Sequence, residues 1–188
     1  MEKINPDNRV LDLGCGYGRL IPGLATKAKS VIGIDTSFSS LLLAKKLVKN
    51  IPNHALFLMN AIHLGFRNNT FDLVICIQNG ISAFHVNPKT LIKESIRVTK
   101  PEGKVLFSTY SEKFWNHRLE WFQIQSDAGL LGEIDYTKTG NGVIVCQDGF
   151  RATTMRKEQF IEITSEFDVN IKIVEVDESS LFCEITVL

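Results

Sequence analysis

The sequence has no run that approaches the about 18 consecutive apolar residues of a membrane span, and its first six residues lack the apolar core of a signal peptide. Only four of its 188 residues are cysteine. They lie far apart, with no Cys-x-x-Cys pair and no Cys/His cluster at zinc-ligand spacing, so we predict no metal site. Cys76, Cys146 and Cys183 fall inside apolar runs, which predicts buried thiols. We therefore expect a reducing, cytoplasmic setting and no membrane partner.

The chain also has no excess of charge of either sign. Lysine plus arginine and aspartate plus glutamate number 21 each, which disfavours a surface built for many phosphate contacts with nucleic acid. The apolar content of 44% suffices for one packed core, and no internal repeat or linker is present. We predict one domain over residues 1–188.

Apolar strand-like runs alternate with helical patterns in the first 110 residues. Strands are predicted at 10–13, 30–35, 55–59, 71–77 and 104–110, and helices at 19–28, from Thr36 or Ser37 to about residue 49, and at 88–98. A turn is predicted at 101–103. This alternation is typical of a doubly wound α/β fold with a mostly parallel sheet.

The last third of the sequence has a different pattern. An amphipathic helix is predicted at 114–128, a β-rich insertion with hairpin turns at 132–154, and a further helix at 156–167. Strands at 169–176 and 181–187 are expected to form an antiparallel pair that closes one edge of a seven-stranded sheet.

The strongest local signal is the sequence Val-Leu-Asp-Leu-Gly-Cys-Gly-Tyr-Gly-Arg at 10–19. A strand runs directly into three glycines at alternate positions and then into a helix. Glycines there allow a tight turn and let a ligand lie against bare backbone, and the helix start offers free N–H groups. A plain glycine-rich turn is the alternative, so the wider context has to decide.

Asp35 supplies that context at the end of the second predicted strand. Its carboxylate can accept two hydrogen bonds from a ribose diol, whereas the alternative role is to cap the next helix. A dinucleotide and S-adenosylmethionine both fit these features. The dinucleotide pattern G-x-G-x-x-G is broken by Arg19, and no tyrosine is followed four positions later by lysine, so the dinucleotide is disfavoured.

Residues 10–18 resemble the first motif of class I, Rossmann-like S-adenosylmethionine-dependent methyltransferases, and residues 33–37 resemble their second. Residues 60–61, with 64–66 and 71–74, resemble the third and fourth motifs, and 97–103 resemble the turn before strand five. The resemblance is dense up to Tyr110 and only general beyond it. It implies a cofactor-binding half at 1–110 and an acceptor-site or cap region at 111–155.

The resemblance also implies roles for individual residues toward S-adenosylmethionine, with S-adenosylhomocysteine as the product. Asp12 would help to hold the amino group of the methionine part directly or through water, and Asp35 would hold the ribose. The residues implied beside the rest of the cofactor are Gly14, Cys15 and Gly16 at the methionine part, Thr36, Asn60 and Ala61 at the adenine, and Gln78 and Asn79 near the methyl group.

Three departures from the family pattern are visible. Asn60 replaces a usual aspartate but keeps an acceptor for the adenine amino group, and Glu102 stands where glycine or aspartate is more common. The first motif begins at Val10, whereas the family generally has some tens of residues before it. A homodimer partner, another chain or the segment after Tyr110 would then cover the site; otherwise it stays open or the chain is a truncated version.

A small-molecule acceptor is the expected substrate. The fourth strand ends in Ile-Gln-Asn-Gly and not in the Asn/Asp-Pro-Pro-aromatic sequence typical of enzymes that methylate nucleic-acid bases. Aromatic residues of the last third are expected to shape the acceptor pocket, with packing in a core as the alternative. Two further hypotheses remain open: a non-catalytic cofactor-binding or partner subunit, and a protein or RNA methyltransferase.

No catalytic residue is identified by the sequence. Transfer from a sulfonium needs a base only if the acceptor must lose a proton. His85 and His117 are candidates by position, but each is better explained as an ordinary surface or packed histidine.

Overall fold

A computed structural model describes residues 4–188. The prediction that the first six residues lack a signal-peptide core therefore lies partly outside the described residues. The described chain forms a seven-stranded sheet. Its strands are β1 (Arg9–Leu13), β2 (Ser30–Asp35), β3 (His54–Leu58), β4 (Phe71–Cys76), β5 (Thr99–Tyr110), β8 (Val169–Val176) and β9 (Ser180–Val187). Their order across the sheet is β3-β2-β1-β4-β5-β9-β8. The first five strands run parallel, and β9 pairs antiparallel with both β5 and β8. The predicted fold class is confirmed.

The helices are α1 (Ile21–Ala25), α2 (Phe38–Leu47), α3 (Gly80–Ala83), α4 (Pro88–Val98), α5 (Trp115–Asp127) and α6 (Lys157–Thr164). Pro22 occupies the first turn of α1, where its missing N–H costs nothing. Ser37 caps α2 by accepting a hydrogen bond from the N–H of Ser40. Within residues 4–188, every helix is too short or too polar to cross a membrane.

Helices cover both faces of the sheet. Neighbouring residues of a strand point to opposite faces, so each strand contributes apolar side chains to both helical layers. On β1, Val10 packs with Ile21 of α1 and Leu41 of α2, whereas Leu11 packs with Leu91 of α4 and Phe160 of α6. All of these side chains are buried. The continuous apolar character of the central strands is the signature of a sheet covered on both faces.

The segment between α5 and α6 contains less regular structure than the sequence indicated. Two short strands, β6 (Ile144–Val145) and β7 (Arg151–Ala152), pair antiparallel around the predicted turn at 148–149. Phe122 of α5 packs against Ile144 and Cys146 in a small core of its own. The predicted amphipathic helix thus buries its apolar side against this insertion.

Two predictions about local structure are corrected. The predicted turn at 101–103 lies inside β5, where Glu102 has a φ of +63° and the register between β4 and β5 shifts. The extra residues form a bulge in the strand, so hydrogen bonding to β4 begins again beyond them. The helix predicted at 19–28 is one and a half turns long, because it is confined to Ile21–Ala25.

Candidate functional site

A cleft of about 380 Å³ opens at the carboxyl ends of β1, β2 and β3. In open α/β sheets, this edge is where ligands bind, at the point where the strand order reverses. Its lining includes five of the residues predicted to contact a cofactor: Gly14, Asp35, Thr36, Asn60 and Ala61. The structure therefore brings together residues that lie far apart in the sequence.

The backbone of the glycine-rich loop adopts left-handed conformations that residues with a Cβ atom rarely adopt. Gly14 has a φ of +71°, and a Cβ placed there would lie 2.4 Å from two ring carbons of Phe84. Gly18 has a φ of +83°, and a Cβ there would lie 3.1 Å from Cβ of Ala44 on α2. Glycine at these two positions thus lets the loop turn and lets α2 and the Phe84 ring approach the backbone closely.

Asp35 lies at the end of β2 and joins two backbone segments of the cleft. One carboxylate oxygen accepts a hydrogen bond from the N–H of Gly16 at 2.8 Å, and the other accepts from the N–H of Ser37 at 2.7 Å. The carboxylate therefore fixes the glycine-rich loop relative to the start of α2. It remains half-buried at the cleft wall, and each oxygen has further lone pairs with which to accept from a ligand.

Asp12 lies below the loop, on β1, and only 2% of its surface is exposed. Its Oδ2 atom has no hydrogen-bond partner in the part of the chain that the structure describes. Burial, and to a smaller extent the negative charge of Asp35, raise the pKa of Asp12 to about 7. A buried carboxylate without a partner is costly, and a cation placed beside it would remove much of that cost.

The remaining residues of the first motif lie around these two carboxylates. The Cys15 side chain is buried against Gly33 of β2, where a Cβ would lie 2.9 Å from its sulfur. Its backbone N–H donates to the carbonyl of Ile34 at 2.9 Å. Cys15 thus contributes backbone to the loop, while its thiol packs into the core.

Gln78 and Asn79 do not line the cleft. Both have left-handed backbones, with φ of +62° and +64°, and they turn the chain from β4 into α3. The Gln78 amide oxygen accepts from the guanidinium of Arg19. The Asn79 side chain faces the C-terminal third, where it donates to the carbonyl of Thr153 at 3.2 Å and accepts from the hydroxyl of Thr109 at 2.9 Å.

Sequence reasoning missed the apolar part of the cleft lining. Phe84 covers the side of Gly14 from which a side chain would project, and Met59 and Val86 add to the same wall. Phe84 follows α3, a single turn of helix that the sequence gave no periodic pattern to predict. The aromatic residue shortly after the fourth strand was the available signal.

The candidate histidines do not join this site. His85 and His117 are both exposed and absent from the cleft lining. His117 follows β5 in the sequence, and the centroid of its ring lies 5.4 Å from that of Phe114. Among residues 4–188, no group of histidine, cysteine or acidic side chains is arranged to hold a metal ion.

Comparison with known proteins extends these observations. A family model described as a methyltransferase domain matches residues 11–107. An uncharacterized protein of Methanocaldococcus jannaschii is 37% identical over 100 residues, covering 53% of this chain and 40% of the relative. A ubiquinone biosynthesis O-methyltransferase of Salmonella paratyphi A is 29% identical over 112 residues, covering 57% of this chain and 45% of the relative. The chain thus spans less than half the length of these curated relatives.

Solved structures show the same fold at low sequence identity. A structure described as a SAM-dependent methyltransferase of Methanosarcina mazei superposes with a TM-score of 0.72 at 19% identity, covering 100% of this chain and 96% of the other. Identity this low shows the shared architecture and leaves the chemistry to be argued from the site itself.

Proposed function

The chain belongs to the methyltransferase domain family, of the class I, S-adenosylmethionine-dependent type, and from that membership we propose that it transfers a methyl group from S-adenosylmethionine to a small-molecule acceptor. The observation that carries the proposal is a pair of carboxylates, one below the glycine-rich loop and one at the cleft wall. Asp12 is buried without a partner for Oδ2, and Asp35 stands at the wall. A ligand that has both a cationic group and a ribose diol is complementary to this pair.

The residues present fit the cofactor in three respects. The unpartnered oxygen of Asp12 suits the ammonium group of the methionine part, since a cation there would compensate a buried negative charge. The carboxylate of Asp35 suits the ribose hydroxyls. The apolar wall of Met59, Phe84 and Val86 suits a planar base.

When bound, S-adenosylmethionine would supply a methyl group that is activated for transfer by the positive charge of its sulfur. The chain's own contribution is binding and orientation. Asp35 and the loop around Gly16 form one hydrogen-bonded unit, so holding the ribose also holds the loop in place. Such positioning and exclusion of water can supply about 7–11 kcal/mol of a reaction barrier.

Two observations support a small molecule as the acceptor. Ubiquinone biosynthesis O-methyltransferases, which match 57% of this chain at about 30% identity, carry in their name a small-molecule product. The balanced charge of 21 basic and 21 acidic residues offers no surplus for binding a nucleic-acid backbone.

Calorimetric titration of the full chain with S-adenosylmethionine and S-adenosylhomocysteine tests the proposal. We expect saturable binding of both at 1:1 stoichiometry. Absence of binding at millimolar ligand would refute the proposed cofactor and, with it, the proposed reaction.

Asp35→Ala should weaken binding about tenfold or more, because it removes charge-assisted hydrogen bonds. Asp72→Ala is the matched control, since Asp72 is at the opposite, amino edge of the sheet, where it accepts from the N–H of Arg9. The control should bind as the unmodified chain does. Equal affinity for all three proteins would show that Asp35 does not hold the ribose.

A further inference from the structure

A second pocket of about 350 Å³ lies between α5 and the insertion that follows it. Its lining includes Trp115 and Arg118 of α5, together with Asn141, Gly142 and Thr154. We propose that this pocket binds the carboxylate of a monoanionic acceptor, with Arg118 as its counter-ion. This inference rests on the proposed function, because it names the substrate class of the same protein.

Arg118 is the feature of this pocket that requires an explanation. Only 1% of its surface is exposed, yet it forms no ion pair with a carboxylate within residues 4–188. Its guanidinium lies over the rings of Tyr110 and Phe122, at 5.1 and 5.6 Å from their centroids. Burial lowers its pKa, which the neighbouring Tyr110 partly offsets. An arginine still stays charged at neutral pH, so the pocket contains an uncompensated positive charge.

The hydrogen bonds of Arg118 leave donors unused. One terminal nitrogen donates to the carbonyl of Gly142 at 2.9 Å, and the other to the carbonyl of Thr153 at 3.3 Å. Nε has no partner among the described residues. A guanidinium has five N–H donors in a planar fork that matches a carboxylate. The two carbonyls fix the orientation of the guanidinium, and an anionic ligand would use a second N–H of a terminal nitrogen.

The other charges around the pocket cancel each other. Arg156 forms an ion pair with Glu112 at 2.9 Å, and both line the pocket. Arg118 therefore leaves a net charge of one positive unit. A single carboxylate matches that charge, whereas a phosphate monoester would bring a second negative charge without a partner. The lining also contains Trp115, which offers an aromatic face to the body of the ligand.

A shared hydrogen-bond acceptor relates Arg118 to the end of β4. The side chains of Asn79 and Arg118 donate to the same carbonyl oxygen, that of Thr153. The two donor nitrogens are thus within two hydrogen-bond lengths of each other. A carboxylate bound to Arg118 would therefore lie near the turn that follows β4.

Binding of benzoate and of its neutral analogue benzamide to the full chain, in the presence of S-adenosylhomocysteine, tests the inference. Chemical-shift titration is suited to the millimolar affinities of such fragments. We expect benzoate to bind at least tenfold more tightly than benzamide, with shifts confined to α5 and residues 141–156. Phenyl phosphate should bind more weakly than benzoate. Equal binding of benzoate and benzamide, or tighter binding of phenyl phosphate, would overturn the proposal.

Variants identify the charge responsible. Arg118→Gln should abolish the preference for benzoate, and Arg151→Gln, an exposed arginine outside the pocket, should retain it. Because Arg118 is buried, Glu112→Gln provides a variant that leaves the core untouched, as the Glu112 side chain is 66% exposed. It should strengthen benzoate binding about threefold and leave benzamide unchanged. If a folded Arg118→Gln variant bound benzoate as tightly as the unmodified chain, the site would be refuted. Benzoate affinity of Glu112→Gln equal to that of the unmodified chain would refute it as well.

The same experiments separate this inference from the proposed function. A chain that binds S-adenosylhomocysteine but shows no preference for benzoate would overturn the carboxylate site alone. A chain that prefers benzoate but does not bind S-adenosylhomocysteine would overturn the methyltransferase proposal, and with it the acceptor role of the pocket.

Discussion

Asp12→Asn tests whether a buried carboxylate without a partner destabilises the ligand-free protein. The pKa of Asp12 is raised by burial from 3.8 to about 7, so the native state takes up its proton more readily than the unfolded chain does. The stability that depends on this group is therefore lost as pH rises from about 4 to about 7. At about 1.4 kcal/mol per pKa unit, ionisation of Asp12 costs the fold about 4 kcal/mol above pH 7.

Urea unfolding of the ligand-free chain at pH 5 to 8 measures this effect. About 3 kcal/mol of the cost falls in that range, because the group is already largely ionised in the unfolded chain at pH 5. The side chain introduced by Asp12→Asn cannot ionise, so the free energy of unfolding of this variant relative to the unmodified chain should rise by about 3 kcal/mol between pH 5 and pH 8. Other titrating groups cancel in this difference.

Asp72→Asn is the control for Asp12→Asn. Burial raises the pKa of Asp72, but the hydrogen bonds from the Arg9 N–H and from Lys100 outweigh it and leave the pKa below its usual value. The stabilisation from Asp72 is therefore fully present above about pH 4, and its loss should shift stability equally at every pH from 5 to 8. Parallel pH curves for Asp12→Asn and the unmodified chain would show that Asp12 is not buried as described.

Three further outcomes are expected. Gly14→Ala should lower the free energy of unfolding by about 1–3 kcal/mol, because the new Cβ would meet the Phe84 ring. Adding Phe84→Ala to this variant should recover part of the lost stability, which a double-mutant cycle in urea measures. Arg97→Lys should cost about 2–3 kcal/mol by thermal unfolding, since Arg97 donates to Glu94 and to two backbone carbonyls. Iodoacetamide at pH 8 should leave the four buried cysteines largely unmodified until urea is added.

The order of elements could be predicted from the sequence because the first half of the chain is locally consistent. The five parallel strands each contain an apolar stretch, and caps such as Ser37 mark where helices begin. The buried state predicted for Cys76, Cys146 and Cys183 is confirmed. Local pattern and packing point to the same answer at these positions.

The path of the chain after β4 could not be predicted. Gln78 and Asn79 adopt a left-handed backbone that non-glycine residues rarely use. Their N–H groups donate to the hydroxyl and the carbonyl of Ser108, thirty and twenty-nine positions further along the chain. Contacts this distant leave no trace in a local pattern. For the same reason the sequence could not indicate that Arg118 donates to the carbonyls of Gly142 and Thr153 in the insertion.

The cleft residues divide along the same line. Asp35 could be placed because it ends a strand next to the glycine-rich loop, and parallel strands align their carboxyl ends. The role of Phe84 depends on α3, a helix of one turn whose position is set by β5 packing beside it. Strand ends define the positions of the polar cleft residues, so these positions could be predicted, whereas the apolar part of the lining required the tertiary structure. The roles of the polar residues toward a cofactor stay predictions.

The position of β9 between β5 and β8 has a consequence for how the protein assembles. When the ribosome has produced β8, that strand has no neighbour in the sheet with which to pair, since its partner is still to be made. The short turn at 177–179 then allows β8 and β9 to pair as a hairpin, either before this hairpin pairs with β5 or at the same time. Closing this short turn has a low entropic cost, which favours formation of the hairpin first. The outer part of the sheet should therefore form late, from a hairpin that is already paired.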